Sequence, residues 1–176
     1  MAKDLSPDGT WLLYGQRSRR GDFDLLAMNL ADRTSIVVRD TPADESDGRF
    51  SPDGRWVAFS STEGDRMGVY VTPFQAPGPR RPVSTGTAAV PRWSRDGREL
   101  FFISMVSDEA HLVKVPMRLA PSLEIGKPER LFSFPPGRRW ADYEPVPDGR
   151  FLAIQFVQFR GFQPVTVIAN WRASGR

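Results

Sequence analysis

The sequence contains no cysteine, which excludes disulfide frameworks, cysteine-ligated zinc and thiol nucleophiles together, and leaves the compartment open. It has one histidine, His111. A catalytic triad would need that imidazole beside an activated serine, and no Gly-x-Ser-x-Gly elbow occurs. His111 opens the run "HLVKV" and reads as a surface histidine at a strand end. Charge of one sign is also lacking: 24 Lys and Arg stand against 21 Asp and Glu, interspersed rather than gathered into a basic stripe. No nucleic-acid partner is therefore expected, despite a pI near 9.7. No run of about 18 apolar residues exists to span a bilayer. The start "MAKDLSPDG" has neither the basic nor the apolar stretch of a signal peptide. The glycine-containing segments 84–91 and 135–140 have neither the spacing nor the following helix of a phosphate loop. The pairs Asp44-Glu45 and Asp108-Glu109 fall in expected loops and read as solvated charge. No cofactor and no metal is expected.

What is present is a repeat. At 176 residues, 40% hydrophobic and 26% charged, the chain has the balance of one globular domain with a core of its own. The stretch "FSPDGRWVAF" (Phe50 to Phe59) has counterparts in "LSPDGTWLLY", "WSRDGRELFF" and "PVPDGRFLAI". Their Asp-Gly pairs begin at 8, 53, 96 and 148, spacings of 45, 43 and 52 residues, in the range of propeller blades or helical arrays. Short aromatic runs follow each glycine and read as strands apolar on both faces, which rejects helices. Second runs begin at Leu25, Val69, Leu112 and Val165, and weaker ones lie at 35–38, 82–84 and 130–134. With the segment before each turn, a complete repeat holds four strands. Four short antiparallel strands per repeat describe an all-β propeller of about four blades, over 1–43, 44–88, 89–138 and 139–176.

The Ser-Pro-Asp-Gly sequences are turn formers by their chemistry. Asp accepts from amides two residues on, Gly takes positive φ and Pro presets the first dihedral. Asp8, Gly9, Asp53, Gly54, Asp96, Gly97, Asp148 and Gly149 are accordingly read as structural. The competing reading, a ring of metal ligands, would need several oxygens converging on one point, and one Asp per blade does not give that. Arg95 replaces proline in the third turn, and Pro145-Val146 replaces the usual apolar-Ser pair in the fourth, so neither turn need share the geometry of the first two.

"FSPDGRWVAFSS", "VYVTPF" and "RWSRDGRELFF" together resemble the TolB-type β-propeller repeat over nearly the whole chain. The tail, "YEPVPDGRFLAI" followed by "VTVIANW", is similar to the last blade of propellers fused behind bacterial serine/threonine kinases. The resemblance implies a non-enzymatic module for protein or ligand binding. It would be extracytoplasmic if joined to a kinase with a transmembrane segment, and cytoplasmic otherwise. The rival class is the gating propeller of a prolyl-oligopeptidase-like peptidase, and a third is a truncated reading frame.

Propeller topology puts the loops between second and third strands on one face with the connections between blades, and the Asp-Gly turns on the other. The candidate binding face gathers 16–22, 61–68, 105–111, 134–143 and 157–164. Within it Arg138, Arg139, Trp140, Phe159, Arg160 and Phe162 combine arginine with aromatics, the pairing enriched at interface hot spots. The expected architecture is an incomplete arc of a six- to seven-bladed propeller. It should need further blades or self-association to cover an apolar blade face near Trp11 and Leu13, or near Phe151 and Ala153.

Overall fold

The computed structural model describes residues 1–64, 66–135, 139–146, 149–156 and 167–171. They form four antiparallel sheets and no helix. The first sheet runs β1 (Ala2–Leu5), β2 (Trp11–Arg17), β3 (Phe23–Asn29), β4 (Ser35–Arg39), each strand beside the next. The second repeats that order with β5 (Glu45–Phe50), β6 (Trp56–Ser61), β7 (Gly68–Pro73) and β8 (Arg81–Pro82). In the third, β9 (Ala88–Trp93), β10 (Glu99–Val106) and β11 (Glu109–Arg118) are followed by β12 (Glu124–Ile125), paired to the end of β11, and β13 (Glu129–Ser133), paired to its start. The segment carrying β12 lies in the longest of the three repeat spacings. The fourth holds β14 (Arg139–Pro145), β15 (Phe151–Phe156) and β16 (Val167–Trp171).

The sheets pack face to face with their first strands adjacent, β1 by β5, β5 by β9 and β9 by β14. This is why the second strands are apolar on both sides. Val57 and Phe59 of β6 join Leu13 and Leu25 in the core between the first two sheets, while Ala58 joins Val69, Val71, Leu100 and Val115 in the next. A third core gathers Phe101, Leu112, Tyr143 and Phe151. Burying one such aromatic ring stabilises by about 2–3 kcal/mol.

Side chains of the first strands lace the seams. Asp4 accepts the Phe50 amide at 2.8 Å, and Arg49 donates to the Lys3 carbonyl at 2.6 Å. Trp93 Nε1 donates to the Arg49 carbonyl at 3.2 Å. Arg92, buried, pairs with Asp142 and approaches Glu144 at 3.4 Å, while the Tyr143 hydroxyl donates to the Val90 carbonyl at 2.9 Å.

The apolar face left uncovered is not the expected one. Leu13 is fully buried against the second sheet, Trp11 meets Phe74 edge to face at 5.6 Å, and Phe151 and Ala153 pack against the third sheet. Since side chains alternate along a strand, the outward face carries their neighbours. On the first sheet these are Leu12, Tyr14, Leu26 and Met28, half-buried, with Val37, 60% exposed, joined through the pairs Leu12↔Met28, Tyr14↔Leu26 and Leu26↔Val37.

Candidate functional site

The first three Asp-Gly turns share one geometry. In each, the serine hydroxyl donates to the aspartate and accepts the amide five residues after the serine: Ser6 from Trp11 at 2.8 Å, Ser51 from Trp56 at 3.0 Å, Ser94 from Glu99 at 2.9 Å. Gly9, Gly54 and Gly97 sit at φ near 70°. The Ser6 hydroxyl, then the Thr10 amide and hydroxyl, hold the Asp8 carboxyl below its ordinary value, and Ser94 and the Arg98 amide do the same for Asp96. Burial pushes Asp53 up, but Ser51 and Arg55 together bring it below its ordinary value. Arg95 therefore leaves the third turn intact. The fourth differs: Gly149 has φ 79° and donates to the Val146 carbonyl at 3.0 Å, but Val146 donates to the carbonyl of Arg150, four residues on, where Ser51 reaches five. Asp148 lies outside the described residues.

Of the candidate binding residues, Arg138, Phe159, Arg160 and Phe162 lie outside the described residues. Arg139 and Trp140 open β14, paired with Phe156 and Gln155, and their side chains are not among those described. The 105–111 segment is no loop. Met105–Val106 and Glu109–His111 are strand, joined by a two-residue turn in which Ser107 and Asp108 have φ of 48° and 65°. Such a pair of positive φ angles closes a hairpin in register with the sheet twist.

His111 is not a surface residue. It is 2% exposed and shares the sheet face of Val113, Val115 and Met117, which pack on the second sheet. Its Nδ1 lies 3.0 Å from Ser133 Oγ, its cross-strand partner in β13, and its Nε2 lies 3.8 Å from Glu109. Arg130 also donates to Ser133 Oγ. The 3.8 Å separation is beyond hydrogen-bond reach, and the imidazole is closed to solvent. The contact closes the β11–β13 seam.

Glu45, expected in a loop, begins β5 and is 1% exposed, and the Thr41 hydroxyl of the 40–44 connection donates to its Oε1. Asp44 in that connection accepts the Phe23 amide at 3.0 Å, and its own amide donates to Thr62 Oγ1 at 2.9 Å, which joins the 18–22, 40–44 and 62–67 loops on one face. Asp22, Asp24, Asp40, Asp44, Glu45 and Glu63 gather there. Arg20 reaches Asp22 at 3.2 Å, Asp24 at 3.7 Å and Asp40, while Arg80 takes Glu63 at 2.7 Å. Three buried atoms at this junction have no hydrogen-bond partner among the described residues: Asp24 Oδ1, Arg39 Nε and Glu45 Oε2. Burial raises the Asp24 carboxyl, with Asp40 and Asp22 adding to it. Burial likewise raises Glu45, opposed by the Thr41 hydroxyl and helped by Asp24. No group of three or more Asp, Glu or His among the described residues is arranged to hold a metal. What the arrangement offers is acceptor atoms for a cationic donor. The only sequence signal for it was the density of Asp and Glu at 22, 24, 40, 44, 45 and 63.

Antiparallel sheets of three to five strands stacked with their first strands adjacent, the first three turned by the same Asp-Gly hairpin, have the architecture of β-propeller blades. The chain is similar to the crystal structure of TolB from Acinetobacter baumannii, with TM-score 0.66 and 20% identity over 86% of this chain and 39% of that one. It is also similar to a protein of Agrobacterium tumefaciens described as TolB, with TM-score 0.67 and 22% identity over 89% and 58%. Prolyl oligopeptidase B from Galerina marginata is more distant, with TM-score 0.56 and 14% identity over 88% and 23%. No family model matches the sequence. The fold is that of the TolB-type propeller, and the chain spans 39% and 58% of the two TolB structures.

Proposed function

We propose that this chain is a non-catalytic propeller module that binds a partner on its loop face, where the acidic junction of the first two sheets receives a cationic group. One observation carries the reading. Glu45, 1% exposed, has an Oε2 without a hydrogen-bond partner among the described residues, and the charges of Asp24 and Glu63 act on its carboxyl. Buried polar atoms are almost always paired, and raised carboxyl pKa values gather at functional sites. A guanidinium or ammonium entering between Asp24 and Glu45 supplies the missing donors. The non-catalytic part rests on the closed imidazole of His111 and the long Glu109 contact.

The test is a tetra-arginine peptide titrated into ¹⁵N-labelled protein. Saturable amide shifts at 18–24 and 40–45 are expected, with affinity weakened about tenfold in Asp24→Asn/Glu45→Gln, as for one lost charge-assisted hydrogen bond. Unchanged affinity in that variant overturns the acidic site. Turnover of p-nitrophenyl acetate that disappears in His111→Ala overturns the non-catalytic reading.

A further inference from the structure

The prolines of the Asp-Gly turns have a second role, visible only between blades. A methyl group placed on Gly54 would lie 3.7 Å from Cδ of Pro7, and one placed on Gly97 would lie 3.5 Å from Cδ of Pro52. Each prolyl ring thus rests against the glycine of the next turn, joined at Gly97 by Leu119, whose Cδ1 would lie 2.9 Å from the added methyl group. The third turn has Arg95 in that position. Around Gly149, the next glycine, a methyl group would meet no atom of the described residues within 4 Å.

A cleft of about 490 Å³ opens at this third junction, between Ser94–Asp96 on one sheet and Pro145, Val146 and Gly149 on the other. Phe101 and Phe151, edge to face at 5.0 Å, line it. That volume falls within the range of about 300–1,000 Å³ typical of ligand sites. Its polar groups are unevenly engaged. Asp96 accepts from Ser94 and the Arg98 amide, and Glu99 is paired with Lys114 at 3.5 Å. Arg95 is exposed and has no ion-pair partner among the described residues. The cleft therefore combines an apolar recess, beside the glycine that a prolyl ring meets at the two earlier junctions, with two arginines, Arg150 and an Arg95 that has no ion-pair partner among the described residues.

We propose that this cleft is a docking site for an acidic prolyl turn, a Pro-Asp or Pro-Glu segment of a protein partner. The prolyl ring sits over Gly149 against Phe101 and Phe151, as Pro7 and Pro52 sit over Gly54 and Gly97, and the carboxylate pairs with Arg95. The partner supplies in trans the plug that this chain supplies to itself at its first two junctions. The site is on the face opposite the loops and is independent of the acidic junction.

The probe is the chain's own turn, a fluorescein-labelled Leu-Ser-Pro-Asp-Gly-Thr peptide, followed by fluorescence polarisation against the 176-residue protein. Saturable binding is expected. Replacing the probe's proline by alanine weakens it about tenfold, and replacing its aspartate by asparagine has a similar effect, as does Arg95→Ala in the protein. Arg95→Pro restores the in-chain plug, so it abolishes binding without lowering the melting temperature. Asp24→Asn/Glu45→Gln leaves this binding unchanged, which separates the result from that of the loop face. Absence of saturable binding, indifference to the probe's proline, or full binding by a folded Arg95→Pro protein overturns the proposal. If Arg95→Pro does not fold, the two probe substitutions decide.

Discussion

Burial pushes the Glu45 carboxyl above its ordinary value of 4.5, and Thr41 and Arg39 only partly offset it. A carboxyl raised in the folded state binds its proton more tightly there than in the unfolded chain. The folded state is therefore favoured below pH 4.5, and that advantage is lost as pH rises through the higher folded value. Above that folded value the protein carries the cost of an ionised, half-satisfied group. Glu45→Gln should raise stability at pH 7 by about 1 kcal/mol, the scale of one unpaired buried acceptor. The gain should shrink as the pH is lowered toward 4.5. Thermal melts of both proteins from pH 7 to 4 check this; a variant less stable at pH 7 would mean that the ionised Glu45 has a partner. The same substitution should weaken the cationic peptide, so a gain in stability and a loss of binding would arise at one residue, the trade expected of a site selected for contact rather than for stability.

At the scale of the strand, Gly48 shows how close the first two sheets lie. A methyl group there would be 2.7 Å from Leu13 Cδ2 and 2.9 Å from Leu25 Cδ1. Both leucines are fully buried, so neither can swing aside. Gly48→Ala should destabilise by about 1–3 kcal/mol through overpacking, measured as a shift in urea midpoint at unchanged slope. An effect within a few tenths would show that the sheets can move apart. Strand count and turn positions were legible in the sequence because they depend on local chemistry: Ser51, Asp53 and Gly54 satisfy one another within a few residues. The side to which each strand turns was not. A strand apolar on both faces carries no alternation to read, so Leu13 and Leu12 look alike until the second sheet covers one of them. The burial of Glu45 was not legible either, since the Thr41 hydroxyl that meets its Oε1 lies outside its own strand. Arg95 was noticed as a departure, but the effect assigned to it was local. The turn it sits in is unchanged, and the consequence falls on the next blade, at Gly149.

For the molecule as a whole, the outward face of the first sheet is an apolar surface that no other sheet of the described residues covers. It runs from Leu5, 49% exposed, through Leu12 and Met28 to Val37. Faces of this kind drive association. The isolated chain is expected to self-associate at tens of micromolar (about 10–100 μM), and Leu12→Lys/Leu26→Glu to shift it toward monomer about tenfold or more, given about 1–2 kcal/mol for each buried side chain. Light scattering decides: a monodisperse monomer of the unmodified chain at these concentrations would count against this face as a contact surface.

Arg49 belongs to the second sheet, yet its guanidinium donates to Lys3 of the first and its carbonyl accepts from Trp93 of the third. Peeling away either neighbour orphans part of this residue, at about 1–3 kcal/mol for each buried group left without a partner. In a solenoid each repeat answers mainly to the next, and the ends can fray while the middle holds. Here a single side chain and its own backbone are shared by three blades, and Arg92 ties the fourth to the third in the same way. The blades are therefore expected to melt in concert, as one calorimetric transition, and two resolved transitions would show that an end blade comes away first.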